Sequence, residues 1–599
     1  MKKSIIPILL SFVLVLAGCV NTKSDVNDGG KKNGEAVEIE LLGMTSDQDD
    51  LNIVRDQLSK AGFKVKLNLQ PDYGSFSAQE DAGNYDLSMS GWTTVTGNPD
   101  YAVRSLFITG GDYSRISDEE VDKLIEKAST ETPEEYVQTY KELEQRLVFD
   151  KAYIAPLYRN YKTQAVNKDV LNADTVRLSK SRSLAWEDID FNDSSKRDTE
   201  PLILSQSNPT LTSLDPIKGN DGSINMLNTN MYVRLVNLTD DDQVTSDASL
   251  SWNHTIAEGN SEYYFILRDD INFAKITDKK AVDTGERVGA EDVIFSLNRA
   301  KDKNSVPDHR TYTLHEHIDT VEVVTDLSEL ESVTQSDGSG TIREGLEEGL
   351  DTKISELVAD KTAVDNGAGK YQVVKLTTTK PFPQVLNYLA HQSAGIVSQK
   401  QVESINTYDV AEFDVNKDIP YGDQNTVTEG PSYDNHLYAS GPYILSYKND
   451  YEAEFLKNPA YMPGTENEPN ISTVTVRFIK DADSTLSALR NGEIYVYYGV
   501  PETKYDVVEN DSKLRLQRIE SNAATYMLFN PSEKREVGKS EDLRKAILYS
   551  INQQDFIDFY QGNVIKAVST VSPLVDTGNE LVADKEKAQE HLNKYLESK

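Results

Sequence analysis

Between Val37 and Leu67 the chain reads strand, helix, strand, and no other feature limits its fold so sharply. Val37, Ile39 and Leu41 alternate with polar residues, and Leu51, Val54, Leu58 and Ala61 then recur at helical spacing. Gly62 stands at the stop position, and Phe63, Val65 and Leu67 alternate again. Period two puts alternate side chains on one face of a strand, and the longer period puts them on one face of a helix. A strand, a helix and a strand at this length make a βαβ unit, so a parallel sheet is expected.

The same reading continues downstream. Tyr85 to Ser90 alternates as a strand and runs into Gly91-Trp92. Ser117 and Glu120 are spaced as a capping box before a helix that buries Val121, Leu124, Ile125 and Ala128. Thr132-Pro133 with Glu135 opens a second helix, with Tyr136, Tyr140, Leu143 and Leu147 on one face. Ile154 to Tyr158 is a short strand, edge-like because it contains Pro156. Residues 191–201 have linker composition. The pattern then restarts with strands at Leu202–Leu204 and Tyr263–Arg268 and a helix over Glu291–Ala300 that buries Val293, Ile294 and Leu297. Residues 326–366 and 400–436 read as surface insertions, and a last helix from Asp584 turns Ala588, Leu592 and Leu596 inward. It stops at Lys599 without a closing strand.

A chain of 599 residues exceeds what one core serves, so two or more lobes are expected. Its formal charge of −36 repels nucleic acid and anionic headgroups, and an acidic surface favours solubility. The single cysteine, Cys19, excludes disulfides and thiolate metal sites from the body. Among seven histidines only His315 and His317 are close, at a spacing that does not share a helix face, so a structural pair is expected and no metal or other cofactor. Walker A, Gly-x-Ser-x-Gly, Gly-x-Gly-x-x-Gly and His-Glu-x-x-His patterns are missing, so no catalytic residue is assigned and an enzyme is not expected.

Lys2 and Lys3 precede an apolar run from Ile5 to Ala17, too short to span a bilayer, and Leu16-Ala17-Gly18-Cys19 follows. This resembles the lipobox of bacterial lipoproteins. By that resemblance residues 1–18 are a signal peptide and Cys19 carries acyl chains. The polar, glycine-containing stretch 19–36 is then a flexible tether at the extracytoplasmic face of the cell membrane.

Several ordered segments resemble the oligopeptide/dipeptide-binding (peptide/nickel type) solute-binding lipoproteins of bacterial ABC importers. They are Ser213-Leu214-Asp215-Pro216, Tyr264 to Arg268, Gly289 to Ser296, Ser440-Gly441-Pro442-Tyr443, and Asp481 through Ile494. Leu543 to Ile547, Gln561-Gly562 and Asp584 to Ala588 continue the series. The family goes on past the last of these with elements that resemble residues 37–190 here, so the chain resembles a circular permutant. The implied fold is α/β, two-lobed and periplasmic-binding-protein-like, of type II, in the large cluster with an extra subdomain. Residues 37–164 and 481–599 would form one lobe, 165–480 the other, and residues 191–201 would join the family's old ends.

The resemblance further implies a monomer that captures peptide between hinged lobes and passes it to ABC permease subunits. Peptide main chain would pair with Thr210, Leu211 and Thr212, and Gly91, Trp92, Thr93 and Thr94 would cover the ligand. Trp92 is otherwise a core aromatic. Tyr312 and Tyr498 are further pocket candidates. The family places an aspartate three residues after this tryptophan to pair with the ligand's ammonium, and here that position is Val95. Either another acid serves, Asp100 being nearest, or the ligand presents no free amino terminus there. A non-peptide solute such as a metal chelate or sugar, and a signalling-peptide receptor, are the alternatives.

Overall fold

Two long antiparallel strands, Ile154–Asn167 and Leu514–Phe529, are the axis of the molecule in the computed structural model. The structure describes residues 36–599 apart from 72, 112, 208, 210, 221–223 and 424–436. The expected signal peptide, Cys19, nearly all of the expected tether, Thr210 and part of the 400–436 segment therefore lie outside the described residues.

The two axial strands sit centrally in an 11-stranded sheet. On one side follow Leu87–Thr93, Glu38–Met44 and Lys64–Gln70. On the other follow Val496–Tyr498, Leu202–Gln206, Thr473–Phe478, Glu452–Lys457 and Tyr443–Lys448. Glu38–Met44 pairs in parallel with Lys64–Gln70 across the helix Gln48–Lys60, the βαβ unit that the hydrophobic periods predict. Leu51, Val54 and Leu58 are buried, and Gly62 ends that helix region at φ +98°.

The axial strands change cores along their length. Ile154, Ala155, Leu157 and Tyr158 belong to one core, while Val166 belongs to another. The first core also takes Leu41, Val54, Ile125 and Tyr140 from early in the chain, with Met527, Ile547, Leu592 and Tyr595 from late in it. Segments as far apart as Leu41 and Tyr595 thus share one hydrophobic interior, here termed the terminal lobe. Burying a leucine- or phenylalanine-sized side chain stabilises by about 1.5–3 kcal/mol, so the shared core ties both ends firmly into this lobe.

The other lobe, the central lobe, is built on the cores around Trp186, Leu204, Tyr443 and Phe455 and around Phe265, Val293, Leu297 and Phe382. The first of these covers the far half of the large sheet. The second covers a 4-stranded sheet that includes Ser251–Ile256, Glu262–Leu267, Ile318–Val324 and Val373–Thr378.

Four details depart from the sequence reading. Pro156 lies inside a central strand, where its missing N–H coincides with a shift of register between Thr525 and Tyr526. Asp118, not Ser117, caps the helix Glu119–Thr130, its carboxylate accepting from Glu120 N and Val121 N. In the helix Lys585–Glu597 the inward residues are Ala588, Leu592 and Tyr595, while Leu596 is exposed. Finally, the helix Ala482–Asn491 packs with Ala165 and Ile203, so the change of core falls at the irregular stretch Glu520–Ala524 and not at residue 481. The 326–366 insertion buries Leu330, Ile342 and Leu346 together with Tyr264 and Tyr371 in a small core. Among the described residues no helix is long and apolar enough to cross a membrane.

Candidate functional site

A cavity of about 570 Å³ opens where the axial strands change cores. The terminal lobe contributes Thr93, Thr94 and Val95, at and just past the end of its strand Leu87–Thr93, while the axial strands contribute residues 160–163, Ser521 and Ala523. The central lobe contributes residues 180–184, 205–207, 390–392, Arg234 and part of the helix Asn225–Met231. Tyr498 and the following turn complete the wall. Strand ends at a junction of two α/β units are where ligands collect, because side chains from several elements converge on open backbone there.

The lobes touch beyond this cavity. Asp100 is fully buried and accepts from Arg104 Nε and Nη2, both at 3.0 Å, and from Tyr388 Oη across the lobe boundary, also at 3.0 Å. Gln384 Oε1 accepts from Asp100 N at 3.3 Å, and Lys380 pairs with Glu126. Near the axis, Asn522 Nδ2 donates to Asp242 Oδ2 at 2.6 Å and Ser181 Oγ donates to Thr94 O at 3.3 Å. Gly97 lies against Asp242 with φ +70°, and a side chain there would meet the Asp242 Cβ at 2.9 Å. Only glycine satisfies both conditions.

The structure gathers some of the sequence-selected residues and disperses others. Thr93, Thr94, Val95 and Tyr498 line the cavity. Gly91 and Trp92 do not; Trp92 stacks edge-on against Tyr101 at 5.2 Å and Tyr113 at 5.8 Å, and Tyr101 in turn meets Tyr388 of the other lobe at 6.4 Å. Trp92 therefore starts an aromatic ladder across the lobe boundary. Leu211 is buried in the central-lobe core and Thr212 is exposed; neither lines the cavity, and Thr210 lies outside the described residues. Tyr312 sits in a separate turn beneath Lys303. Asp100, bound on both oxygens, does not line the cavity and is not placed to receive a ligand ammonium.

The sequence reading missed Lys162, Arg182, Arg234 and His391, all in the cavity wall. Arg234 had a visible signal, a single cation inside the apolar run Tyr232-Val233-Arg234-Leu235-Val236. Lys162 and His391 had none, since an isolated polar residue in a strand or loop is ordinary until the fold shows what it faces.

His315 Nε2 and His391 Nδ1 both lie 2.8 Å from Ser393 Oγ. Ser393 N donates to His391 Nδ1 at 3.3 Å, which leaves the proton of the neutral ring on Nε2. His317 stacks on Phe382 at 4.5 Å, so the 315–317 pair makes packing contacts.

The family model for bacterial extracellular solute-binding proteins, family 5 Middle, matches residues 244–596, more than half of the chain. The chain belongs to this family. Among relatives of this family 5 protein, the oligopeptide-binding protein AppA of Bacillus subtilis is 26% identical over 118 residues, 20% of this chain and 21% of AppA. The glutathione-binding protein GsiB of Salmonella paratyphi A is 21% identical over 368 residues, 61% of this chain and 55% of GsiB. The chain thus spans about a fifth to about half of these curated relatives. The solved structure of the ABC transporter-associated periplasmic binding protein DppA from Helicobacter pylori, in complex with peptide STSA, is similar with a TM-score of 0.42. It is 18% identical, and the match covers 67% of each chain.

Burial pushes His315 down to about 3 and His391 down to about 4, away from the 6.5 of an ordinary histidine. Below pH 6.5 the unfolded chain takes up protons that the folded rings refuse. Stability that is present above that pH is therefore lost as the pH falls. Urea unfolding at pH 7 and pH 5 tests this: His315→Gln should lose about 2 kcal/mol less than the unsubstituted protein over that interval. An equal loss in both would refute it.

Proposed function

We propose that this family 5 protein is the extracytoplasmic binding component of an ABC importer, which captures an oligopeptide between its lobes and hands it to permease subunits. The observation that supports this reading is the cavity bounded by both lobes beside the two strands that join them. Two continuous strands make a hinge, and bending at the irregular stretch Glu520–Ala524 would open the cleft. The contacts of Asp100, Gln384 and Asp242 then hold the closed state. Relatives named for binding oligopeptides and glutathione fit a peptide-like ligand.

A non-peptide solute is the second reading, and Val95 together with the occupied Asp100 favours it. Mass spectrometry of small molecules released from the purified, denatured protein separates the two: mixed peptides support the first, a single non-peptide compound the second. Tyr498 is 42% exposed, faces the cavity and lies 5.6 Å from Lys162 Nζ. Tyr498→Ala should weaken binding of the released ligand about tenfold in calorimetry while leaving the melting temperature within a degree or so. Unchanged affinity would remove Tyr498 from the site.

The anchor at Cys19 belongs to the same proposal. Cys19→Ala should shift the exported protein from the membrane fraction into the soluble one, and retention on the membrane would count against acylation.

We also infer that the chain is a circular permutant within its family, a reading supported by the core that early and late segments share. A re-cut chain, opened within 191–201 with Lys599 joined to Val37 by a short linker, should fold and bind the same ligand with similar affinity. Failure of that chain to fold would go against permutation.

A further inference from the structure

Arg234 carries a charge that its protein neighbours do not neutralise. It is 5% exposed and lines the cavity. Its Nη1 donates to Thr229 O at 2.9 Å and Tyr232 O at 2.8 Å, and its Nη2 donates to Asn237 Oδ1 at 3.4 Å. All three acceptors are neutral, and Nε has no partner. Among the described residues no carboxylate oxygen lies within 4.0 Å of it. Glu187, a carboxyl that acts on it, is itself pushed up by burial and then by Asp188, which weakens it as a countercharge. The guanidinium of Arg182 adds repulsion from the same wall, its own charge being met by Asp240 at 3.1 Å. A guanidinium keeps its proton at any physiological pH, so this charge is permanent.

A second cation faces the same space. Lys162, on an axial strand, donates through Nζ to Lys180 O at 3.0 Å and Arg182 O at 3.3 Å, again neutral acceptors. An ammonium has three N–H groups, so one remains for a ligand. Nearby, His391 presents a proton on Nε2, and Thr94 a hydroxyl, neither with a partner. Among the described residues Glu502 is the one carboxylate of the lining. In a chain of net charge −36, this cavity concentrates donors and unneutralised positive charge.

We propose that the ligand is anchored here by a carboxylate, held by Lys162 and Arg234, and that no ammonium anchor operates in this cleft. The proposal rests on the reading of the cavity as the solute site and names the ligand class: an acidic solute, such as a peptide presenting either its terminal carboxylate or an acidic side chain. A buried cation without a countercharge is unfavourable in a low-dielectric wall, and a charge-assisted bond to a carboxylate removes that cost on binding. The departure at Val95 then has a reason: an aspartate there would face the incoming carboxylate and repel it.

Calorimetry on the full chain tests this with short alanine-rich peptides in three forms: free acid, C-terminal amide, and amide containing one glutamate. The free acid, the glutamate amide or both should bind at least tenfold tighter than the neutral amide. That advantage should shrink with added salt and disappear in Lys162→Gln and Arg234→Met. An advantage for the free acid alone identifies the chain terminus as the source; an advantage shared by the glutamate amide identifies the side chain. Lys162 is half-exposed, so Lys162→Gln keeps the test open should Arg234→Met fail to fold. Equal binding of all three forms overturns the proposal. If no peptide binds, the oligopeptide reading fails by itself, and melting curves in acetate and glutarate decide the anchor. A rise in melting temperature that Lys162→Gln abolishes supports it, and an equal response in both proteins overturns it.

Discussion

The ladder between Ile154–Asn167 and Leu514–Phe529 is the contact on which the rest of this structure depends. Each strand leaves one hydrophobic core and enters another without a break in the chain, so the two lobes are parts of one sheet rather than beads on a linker. Backbone pairing resists stretching and shear but bends at irregularities, and the pairing is irregular between Glu520 and Ala524, beside the cavity. The cavity and the irregular stretch therefore coincide. Any closure of the cleft is felt first by Asn160 to Thr163 and by Ser521 and Ala523, which line it.

Around that stretch the lobes meet through groups of opposite character. An aromatic ladder from Trp92 through Tyr101 to Tyr388 supplies non-directional packing, while Asp100 is held by Arg104 and Tyr388 in fixed geometry. Asp100 illustrates how burial changes a residue's role. A carboxylate with both oxygens occupied has little capacity left for a ligand cation, whatever its distance along the sequence from Val95. The same logic run in reverse marks Arg234: a buried cation bonded only to neutral oxygens retains its appetite for an anion.

Much of this architecture was legible in the residues. Leu51, Val54 and Leu58 announced a helix, and the flanking alternation announced its two parallel strands, because period and burial are coupled in short range. The errors share one cause. Pro156 reads as an edge residue because its missing N–H usually lies where no partner strand needs it, and only the facing strand's shift of register makes a central place tolerable. Leu596 and Tyr595 differ by one step around a helix, and the partner surface of the helix Glu541–Ser550 decides which of them turns inward. Of the cavity-lining residues, Thr93, Thr94 and Tyr498 are marked in the sequence because they end or follow strands, whereas Lys162, Arg182 and His391 carry no local mark.

Sequence alone determined the local grammar of this protein: the βαβ opening, the helix faces, the scarcity of histidine and cysteine, the acidic composition and the family resemblance. These follow from side-chain periodicity and composition, which act over a few residues or over the whole chain without regard to shape. Tertiary structure alone decided which segments share a core, where the axial strands change from one core to another, that Asp100 is spoken for, and that Lys162 and Arg234 line one cavity. Those outcomes depend on pairings across hundreds of residues. Whether a charge is neutralised is set by what the folded chain brings within a few ångströms of it, not by its neighbours in sequence.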